Sequence, residues 1–217
     1  MKKVVYCLLM FISSLAYGQS RKNALLKHQL DSVSVLDQKY RDTLKLLMMP
    51  ATKDALLQKI KLTSAEANDR YLQMQSRLDS LNLIFVEAVM KKQGYPGTSL
   101  VGAPTDEVAW NVIQHSNKIA RYLPVIKAAA ELQQLPYRLY ATMLDRYLMN
   151  DGQEQIYGTQ GTCRELKNGT QECFIWPVKD PEKVNSLRKK SGFDSTVEAN
   201  AARLGVSYRV VKLSEVQ

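Results

Sequence analysis

The chain has few of the residues that metal centres and membrane anchors require. It contains three cysteines and two histidines among 217 residues, so the usual set of zinc ligands is not available at any one place. An apolar run at residues 4–15 is too short to span a bilayer, and no later segment is long and apolar enough to replace it. We therefore expect no metal, no cofactor and no transmembrane anchor.

The chain also lacks the charge pattern of a nucleic-acid-binding surface. Its formal net charge is +9 at pH 7, but the basic residues are scattered, with only short doublets such as Lys91-Lys92 and Lys189-Lys190. No groove of arginines interleaved with aromatic residues is indicated. We expect these lysines to lie on solvated faces and expect no nucleic-acid partner.

The first 18 residues have the pattern of a signal peptide. Lys2-Lys3 precede the apolar run, and Ala16 and Gly18 are small residues of the kind that a signal peptidase reads before cleavage. Cleavage after Gly18 would deliver a periplasmic or secreted protein. We expect an N-terminal helical segment at residues 19–62, a core helical domain at residues 63–206 and a tail at residues 207–217.

Cys163 and Cys173 are expected to form a disulfide, because export leads to an oxidising compartment. A redox-active pair is a weaker alternative, since it usually shows Cys-x-x-Cys spacing. A three-residue loop at residues 167–169, closed by glycine in the left-handed region, puts the two cysteines opposite each other. A two-residue turn would instead put Arg164 opposite Cys173. The sequence therefore predicts a stapled hairpin within residues 155–178.

Apolar residues elsewhere recur every three or four positions, which predicts amphipathic helices. Pro50 should end the first helix, Pro124 should mark a break or a first turn, and Ser195 with Glu198 should form a capping box. The tail from Tyr208 is either an edge strand or disordered. Helices are predicted at residues 23–49, 54–62, 64–93, 106–116, 119–133, 137–149, from 180–182 to 190, and from 195 to about 205. The fold class is mainly α (α+β): a single helical domain with one disulfide-stapled β-hairpin near the C-terminus.

Trp110, Gln114 and His115 lie on one predicted helix, with Trp110 and Gln114 on the same face. An indole beside an amide and an imidazole can hold a planar or sugar-like ligand. His115 can also act as a general base, because histidine titrates near neutral pH. The alternative is that Trp110 belongs to the core and His115 has a structural role.

Asp145 and Arg146 point about 100° apart on their helix, so each should bond a different element. We expect one of the two to face His115, and Asp145 would then be its orienting acid, although no serine or cysteine nucleophile lies in a recognisable elbow. Residues 155–160 resemble a strand that lines a pocket, with Tyr157 on one face and Gln160 on the other. For Asp180 we expect an N-cap.

The order of these residues resembles an uncharacterised bacterial domain-of-unknown-function family whose members are often exported. The ordered series is Gly94-Tyr95-Pro96, Trp110 with Gln114-His115, Asp145-Arg146, Tyr157-Gly158-Thr159-Gln160, and Pro177 with Asp180-Pro181 and Arg188. Asp37-Gln38 with Arg41, and Asp79 with Asn82, are similar to its upstream part. The resemblance covers residues 37–192 and implies one shared site or scaffold, with no reaction attached.

Three functions are compatible with these patterns. The first is an envelope module that binds a small molecule, glycan or protein partner where the site residues converge; these are Trp110, Gln114, His115, Asp145, Arg146, Tyr157 and Gln160. The second is a hydrolase in which His115 is the general base, Asp145 or Asp180 orients it, and water is the nucleophile. The third is a structural module that dimerises through the helix at residues 23–49.

Overall fold

The computed structural model describes residues 22–216, and the predicted signal peptide therefore lies outside the described residues. Two antiparallel strands, β1 (Gly161–Glu165) and β2 (Gln171–Ile175), form a hairpin near the C-terminus. The predicted fold class, mainly α with one disulfide-stapled hairpin, is confirmed. The helices are α1 (Ala24–Met48), α2 (Pro50–Ile60), α3 (Ser64–Gln93), α4 (Val108–Gln114), α5 (Ile119–Glu131), α6 (Tyr137–Asn150), α7 (Val184–Lys190), α8 (Val197–Leu204) and α9 (Leu213–Val216).

The main hydrophobic core lies between α1, α3, α4, α5 and α6. Leu30 of α1, Val86 of α3 and Ile113 of α4 are fully buried in it, as the amphipathic spacing of these helices requires. Within residues 22–216, no helix is long and apolar enough to cross a membrane.

The helix ends follow local sequence rules. The Asn23 side chain accepts a hydrogen bond from the Leu26 backbone N–H at the start of α1. Thr63 and Glu66 form a reciprocal capping box at the start of α3. These two caps fix the beginnings of the longest helices, whose packed faces carry the site described below.

Several predicted boundaries were wrong. The second helix, predicted at residues 54–62, begins at Pro50. Proline is tolerated in the first turn because the N–H that it lacks would have no partner within the helix there. Pro124 lies inside a continuous α5 and marks neither a break nor a first turn. The cap of α8 is Thr196, whose side chain accepts from the Ala199 backbone N–H, because the Ser195 oxygens bind Arg188 instead. Residues 105–107 form a 3-10 turn before α4.

The hairpin has the predicted register. Cys163 pairs with Cys173, and the two form a disulfide. The Leu166 backbone N–H donates to the Thr170 carbonyl at 2.9 Å, and Gly169 has a φ of +81°. The connection is therefore the three-residue loop closed by a left-handed glycine.

The C-terminal tail contacts the free side of β2. Ser207 donates its backbone N–H to the Cys173 carbonyl at 3.0 Å and forms one parallel bridge with Phe174. Val211 packs with Leu166 and Phe174 in a small apolar cluster. Arg209 also pairs with Glu172 of β2, and the Lys167 backbone N–H donates to the Glu215 carbonyl in α9. The tail is thus ordered against the hairpin without forming a third strand.

Reduction of the Cys163–Cys173 disulfide should loosen the hairpin tip and leave the helices folded, because the main core contains neither cysteine. We expect the free energy of unfolding to fall by about 2–3 kcal/mol, the loop-entropy contribution of so short a loop. Far-UV circular dichroism with and without reductant measures the helical signal, and a double Cys→Ser variant should match the reduced protein. Loss of the helical signal at room temperature would contradict this expectation.

Candidate functional site

His115 contacts an aspartate of α1 that lies far away in the sequence. Its Nδ1 is 3.1 Å from Oδ1 of Asp37. Asp37 is only 2% exposed, whereas the side chain of His115 is 21% exposed and lines a cleft. Among residues 22–216, no hydrogen bond occupies Nε2 of His115. With Nδ1–H donated to the carboxylate, Nε2 is the ring atom available to a ligand.

Local sequence explains how these two side chains meet. Asp37 follows the buried residue Val33 by four positions on α1, and so lies on the face that packs against the other helices. α4 ends at Gln114, and the Ser116 backbone N–H and hydroxyl both bond the Ile113 carbonyl. This turn sets His115 at the helix end, where its ring meets α1.

Hydrogen bonds and nearby cations keep the Asp37 carboxylate ionised. Burial raises its pKa, but the hydrogen bond from His115, the charge of that ring when it is protonated and the charge of Arg41 outweigh burial and lower the pKa below its usual value. Gln38 also donates to Oδ2 of Asp37 at 2.6 Å. A buried, ionised carboxylate held in this way fixes the orientation of the imidazole.

A second polar group joins α1 to α3 beside this pair. Arg41 Nη2 donates to Oδ1 of Asp79 at 2.6 Å, and Gln75 Nε2 donates to the same oxygen at 2.7 Å. Gln75 Nε2 also reaches the Asp37 backbone carbonyl at 3.0 Å. The side chains of Arg41 and Asp79 are 25% and 23% exposed, so both remain accessible from the cleft.

The cleft between α1, α3 and the turn after α4 has a volume of about 420 Å³. We call it the polar cleft. Its walls present a guanidinium, a carboxylate, an imidazole and amide groups, which come from Arg41, Asp79, His115, Gln75 and Asn117. Leu44, Leu72 and Leu83 supply apolar surface. Such walls suit a small polar ligand that both donates and accepts hydrogen bonds.

The hydrogen bonds of Asp145 go to residues 156–159 and not to His115. Asp145 is fully buried, and its carboxylate accepts hydrogen bonds from the backbone N–H groups of Ile156, Tyr157 and Thr159 and from the Thr159 hydroxyl. Burial raises the pKa of Asp145, and these backbone hydrogen bonds oppose the rise. The expected pairing is therefore corrected: the acid that orients His115 is Asp37.

Residues 155–160 form a loop around the Asp145 carboxylate, and not the predicted strand. The backbone N–H groups of Ile156, Tyr157 and Thr159 bond this one side chain, so they are not available to a strand ladder. Gln155 makes a single bridge to Val178. Gly158 has a φ of +63°, and a Cβ there would lie 2.5 Å from a methyl group of Val197, so glycine permits the tight turn. The residues whose alternating pattern resembled a strand form this loop instead.

Arg146, Gln114 and Gln160 do come together. Arg146 Nη1 donates to the Gln114 carbonyl at 3.2 Å, and its Nε reaches Oε1 of Gln160 at 3.4 Å. Burial lowers the pKa of Arg146. The Gln114 side chain turns away and donates to Asn111. These contacts join α6 to α4 and to the loop at residues 155–160, which we call the Asp145 loop.

The other expected site residues have packing roles. Trp110 is 6% exposed, and its Nε1 donates to the Leu139 carbonyl at 2.8 Å, as its core alternative anticipates. Tyr157 is buried, and its ring lies 6.2 Å from that of Phe193. Asp180 bonds the backbone and side chain of Lys183 in the turn before α7. None of the three lines the polar cleft.

The sequence reasoning missed Gln75 and the site role of Asp37, Arg41 and Asp79. One signal was present: Asp37 and Arg41 interrupt the apolar face of α1 four positions apart, between Val33 and Leu44. A polar residue in the apolar stripe of a helix must find partners when it is buried. The resemblance had also included Asp37, Arg41 and Asp79.

Comparisons with family models, with curated proteins and with solved structures give no match for this chain. The resemblance to the uncharacterised bacterial family stays a prediction. The site is therefore argued from its own geometry.

Asp145→Ala should lower the free energy of unfolding by roughly 3 kcal/mol or more, because it leaves several buried backbone N–H groups without an acceptor. Asp180→Ala is the matched control, since Asp180 is partly exposed and bonds Lys183 in a surface turn; we expect a much smaller loss of stability than in Asp145→Ala. Urea denaturation followed by circular dichroism measures both variants. Equal losses would show that the Asp145 loop does not depend on the carboxylate.

Proposed function

We propose that this protein is an exported protein of the bacterial cell envelope that binds a small polar ligand in the polar cleft. The observation that carries the proposal is the Asp37–His115 pair, in which a buried acid holds an imidazole at the cleft wall. A fully buried histidine needs hydrogen-bond partners within the protein for both ring nitrogens, whereas His115 is partly exposed and its Nε2 has no partner among residues 22–216. That nitrogen serves as an acceptor for a ligand hydroxyl or N–H group.

The other cleft residues define the ligand class. Arg41 and Asn117 offer N–H groups to a ligand at the cleft wall. Asp79 offers a carboxylate, which its partners Arg41 and Gln75 hold in place. With Arg41 compensated by two aspartates, the cleft has no excess positive charge to select a strong anion. A volume of about 420 Å³ lies within the range of roughly 300–1,000 Å³ for small-molecule sites. A polyhydroxylated ligand such as a sugar fits these features.

Two features support the envelope location. The Cys163–Cys173 disulfide fits an oxidising compartment, and the sequence at residues 1–18 predicts a signal peptide cleaved near Gly18. Both a soluble glycan and a protein-borne glycan carry the sugar chemistry that the polar cleft would recognise.

A second candidate is hydrolysis of the bound ligand, with water as nucleophile. The specific observation in its favour is again the Asp37–His115 pair, since an imidazole oriented by a buried carboxylate is the arrangement of a general base. Asp37 takes the orienting role that the sequence assigned to Asp145 or Asp180. Nε2 of His115 would accept the proton of the attacking water.

Dimerisation through α1 stays a prediction with less support. α1 exposes Leu25, Val35, Leu36, Leu46 and Met48, but polar residues such as Lys39 divide them into small groups along the helix. Small scattered apolar groups are normal on a protein surface.

A thermal-shift series tests the binding proposal. N-acetylated amino sugars, their short oligomers and simple polyols are screened as probes, because a ligand that binds the native state raises the melting temperature. We expect a probe whose stabilising effect is lost in His115→Ala and reduced in Asp37→Asn. His28→Ala is the matched control, since His28 is the second histidine and is exposed on α1, and it should keep the full effect.

Product analysis of the same samples separates binding from hydrolysis. Hydrolysis predicts breakdown of the probe at a rate that falls in both His115→Ala and Asp37→Asn, whereas a binding module leaves the probe intact. A stabilising probe that works equally well on His115→Ala would contradict the proposed site. No stabilisation by any polyhydroxylated probe would contradict the proposed ligand class.

A further inference from the structure

Asp106 is a buried carboxylate with an oxygen that lacks a donor. The residue is 2% exposed. Its Oδ2 accepts a hydrogen bond from the Thr98 hydroxyl at 2.5 Å. Its Oδ1 is buried, and among residues 22–216 no donor reaches it. Burying such an atom without a partner is costly, and native proteins rarely do so.

The two other buried aspartates of the chain show how unusual this is. Asp145 is as deeply buried, and donors reach both of its oxygens. Asp37 has His115 on one oxygen and Gln38 on the other. Among the three buried aspartates of residues 22–216, Asp106 is thus the one with an oxygen that still needs a donor. Asp106 also lines a cleft.

This second cleft has a volume of about 570 Å³ and lies between the loop that follows α3, the end of α5 and the start of α6. Apart from Asp106, most of its wall is apolar or aromatic, contributed by Ala103, Ala130, Leu135, Pro136 and Tyr137. We call it the Asp106 cleft. It shares no lining residue with the polar cleft.

The chemistry of the walls selects the kind of ligand. Within residues 22–216, no group of three or more His, Cys, Asp or Glu residues is placed to hold a metal ion. An anion is disfavoured because Asp106 and Glu131 both line the cleft. A primary ammonium ion supplies the N–H donor that Oδ1 lacks, as well as a charge opposite to that of the carboxylate. Its hydrocarbon part suits the apolar wall, and the ring of Tyr137 attracts a cation.

We propose that the Asp106 cleft binds a primary ammonium ion attached to a small apolar body, with the ammonium group on Asp106 and the apolar body against Leu135 and Tyr137. The exposed side chains of Gln133 and Lys190 stand at the rim. Because Oδ1 is itself buried, the proposed binding requires a side chain at the cleft to move before the ammonium group reaches this atom.

Lys190 is the internal competitor for Asp106. It lines the cleft and makes no ion pair with any of the described residues 22–216. If the Lys190 ammonium group donates to Oδ1 of Asp106 in solution, that oxygen needs no donor from a ligand. Lys190→Met distinguishes the two cases, because it removes the competing charge and keeps most of the side-chain length.

Isothermal titration with n-butylammonium as the probe tests the proposal, with 1-butanol as the uncharged counterpart. We expect butylammonium to bind at least about tenfold more tightly than butanol, and Asp106→Asn to weaken it by roughly tenfold or more. Glu131→Gln is the control for general loss of negative charge and should change the affinity less than about threefold. Tyr137→Leu, which leaves Asp106 intact, should also weaken butylammonium.

Lys190→Met should keep or increase the affinity for butylammonium. Equal binding of butylammonium and butanol would overturn the proposal, as would equal losses in Asp106→Asn and Glu131→Gln. A Lys190→Met variant that unfolds more easily and still does not bind butylammonium would show that Lys190 is the partner of Asp106, and would overturn it too.

Discussion

A carboxylate removed from water must receive hydrogen bonds from the protein, and this requirement shapes the molecule at two places. Asp145 meets it with the backbone N–H groups of the loop at residues 156–159, so the base of the hairpin is held on α6. Asp37 meets it with His115 and Gln38, and so joins α1 to the end of α4. The same residue type thus connects the hairpin to the helical body and builds the candidate site within that body.

The two aspartates differ in the donors that they use, and the difference separates scaffold from site. The donors to Asp145 are mainly backbone N–H groups, and both oxygens of its carboxylate already accept hydrogen bonds from them. This carboxylate therefore serves the scaffold and is not presented to a ligand. An imidazole has two nitrogens, and the one that does not face Asp37 remains free among the described residues 22–216 at a cleft wall. Arg41, Asp79 and Gln75 form a neighbouring network that holds further polar groups at the same cleft. A ligand therefore meets side chains whose positions are already fixed by buried contacts.

Sequence reasoning found the parts of this structure that depend on local rules. The periodicity of α1 and α3, and the register of the hairpin from Cys163 to Cys173, follow from residue spacing and one glycine. The pairing of His115 with Asp37 spans 78 positions, and no local pattern encodes which aspartate the histidine meets. The prediction for residues 155–160 was wrong for a related reason. Their side chains alternate as in a strand, but the Asp145 carboxylate of α6 accepts hydrogen bonds from three of their backbone N–H groups.

The candidate site depends on Asp37 to fix the orientation and tautomer of His115. ¹⁵N-detected histidine NMR of the uniformly labelled protein at pH 8 reports directly which ring nitrogen carries the proton, and the exposed His28 serves as an internal reference. We predict a proton on Nδ1 and a bare Nε2 for His115, and loss of this preference in Asp37→Asn. A proton on Nε2 of His115 in the unmodified protein, with Nδ1 bare, would contradict the account.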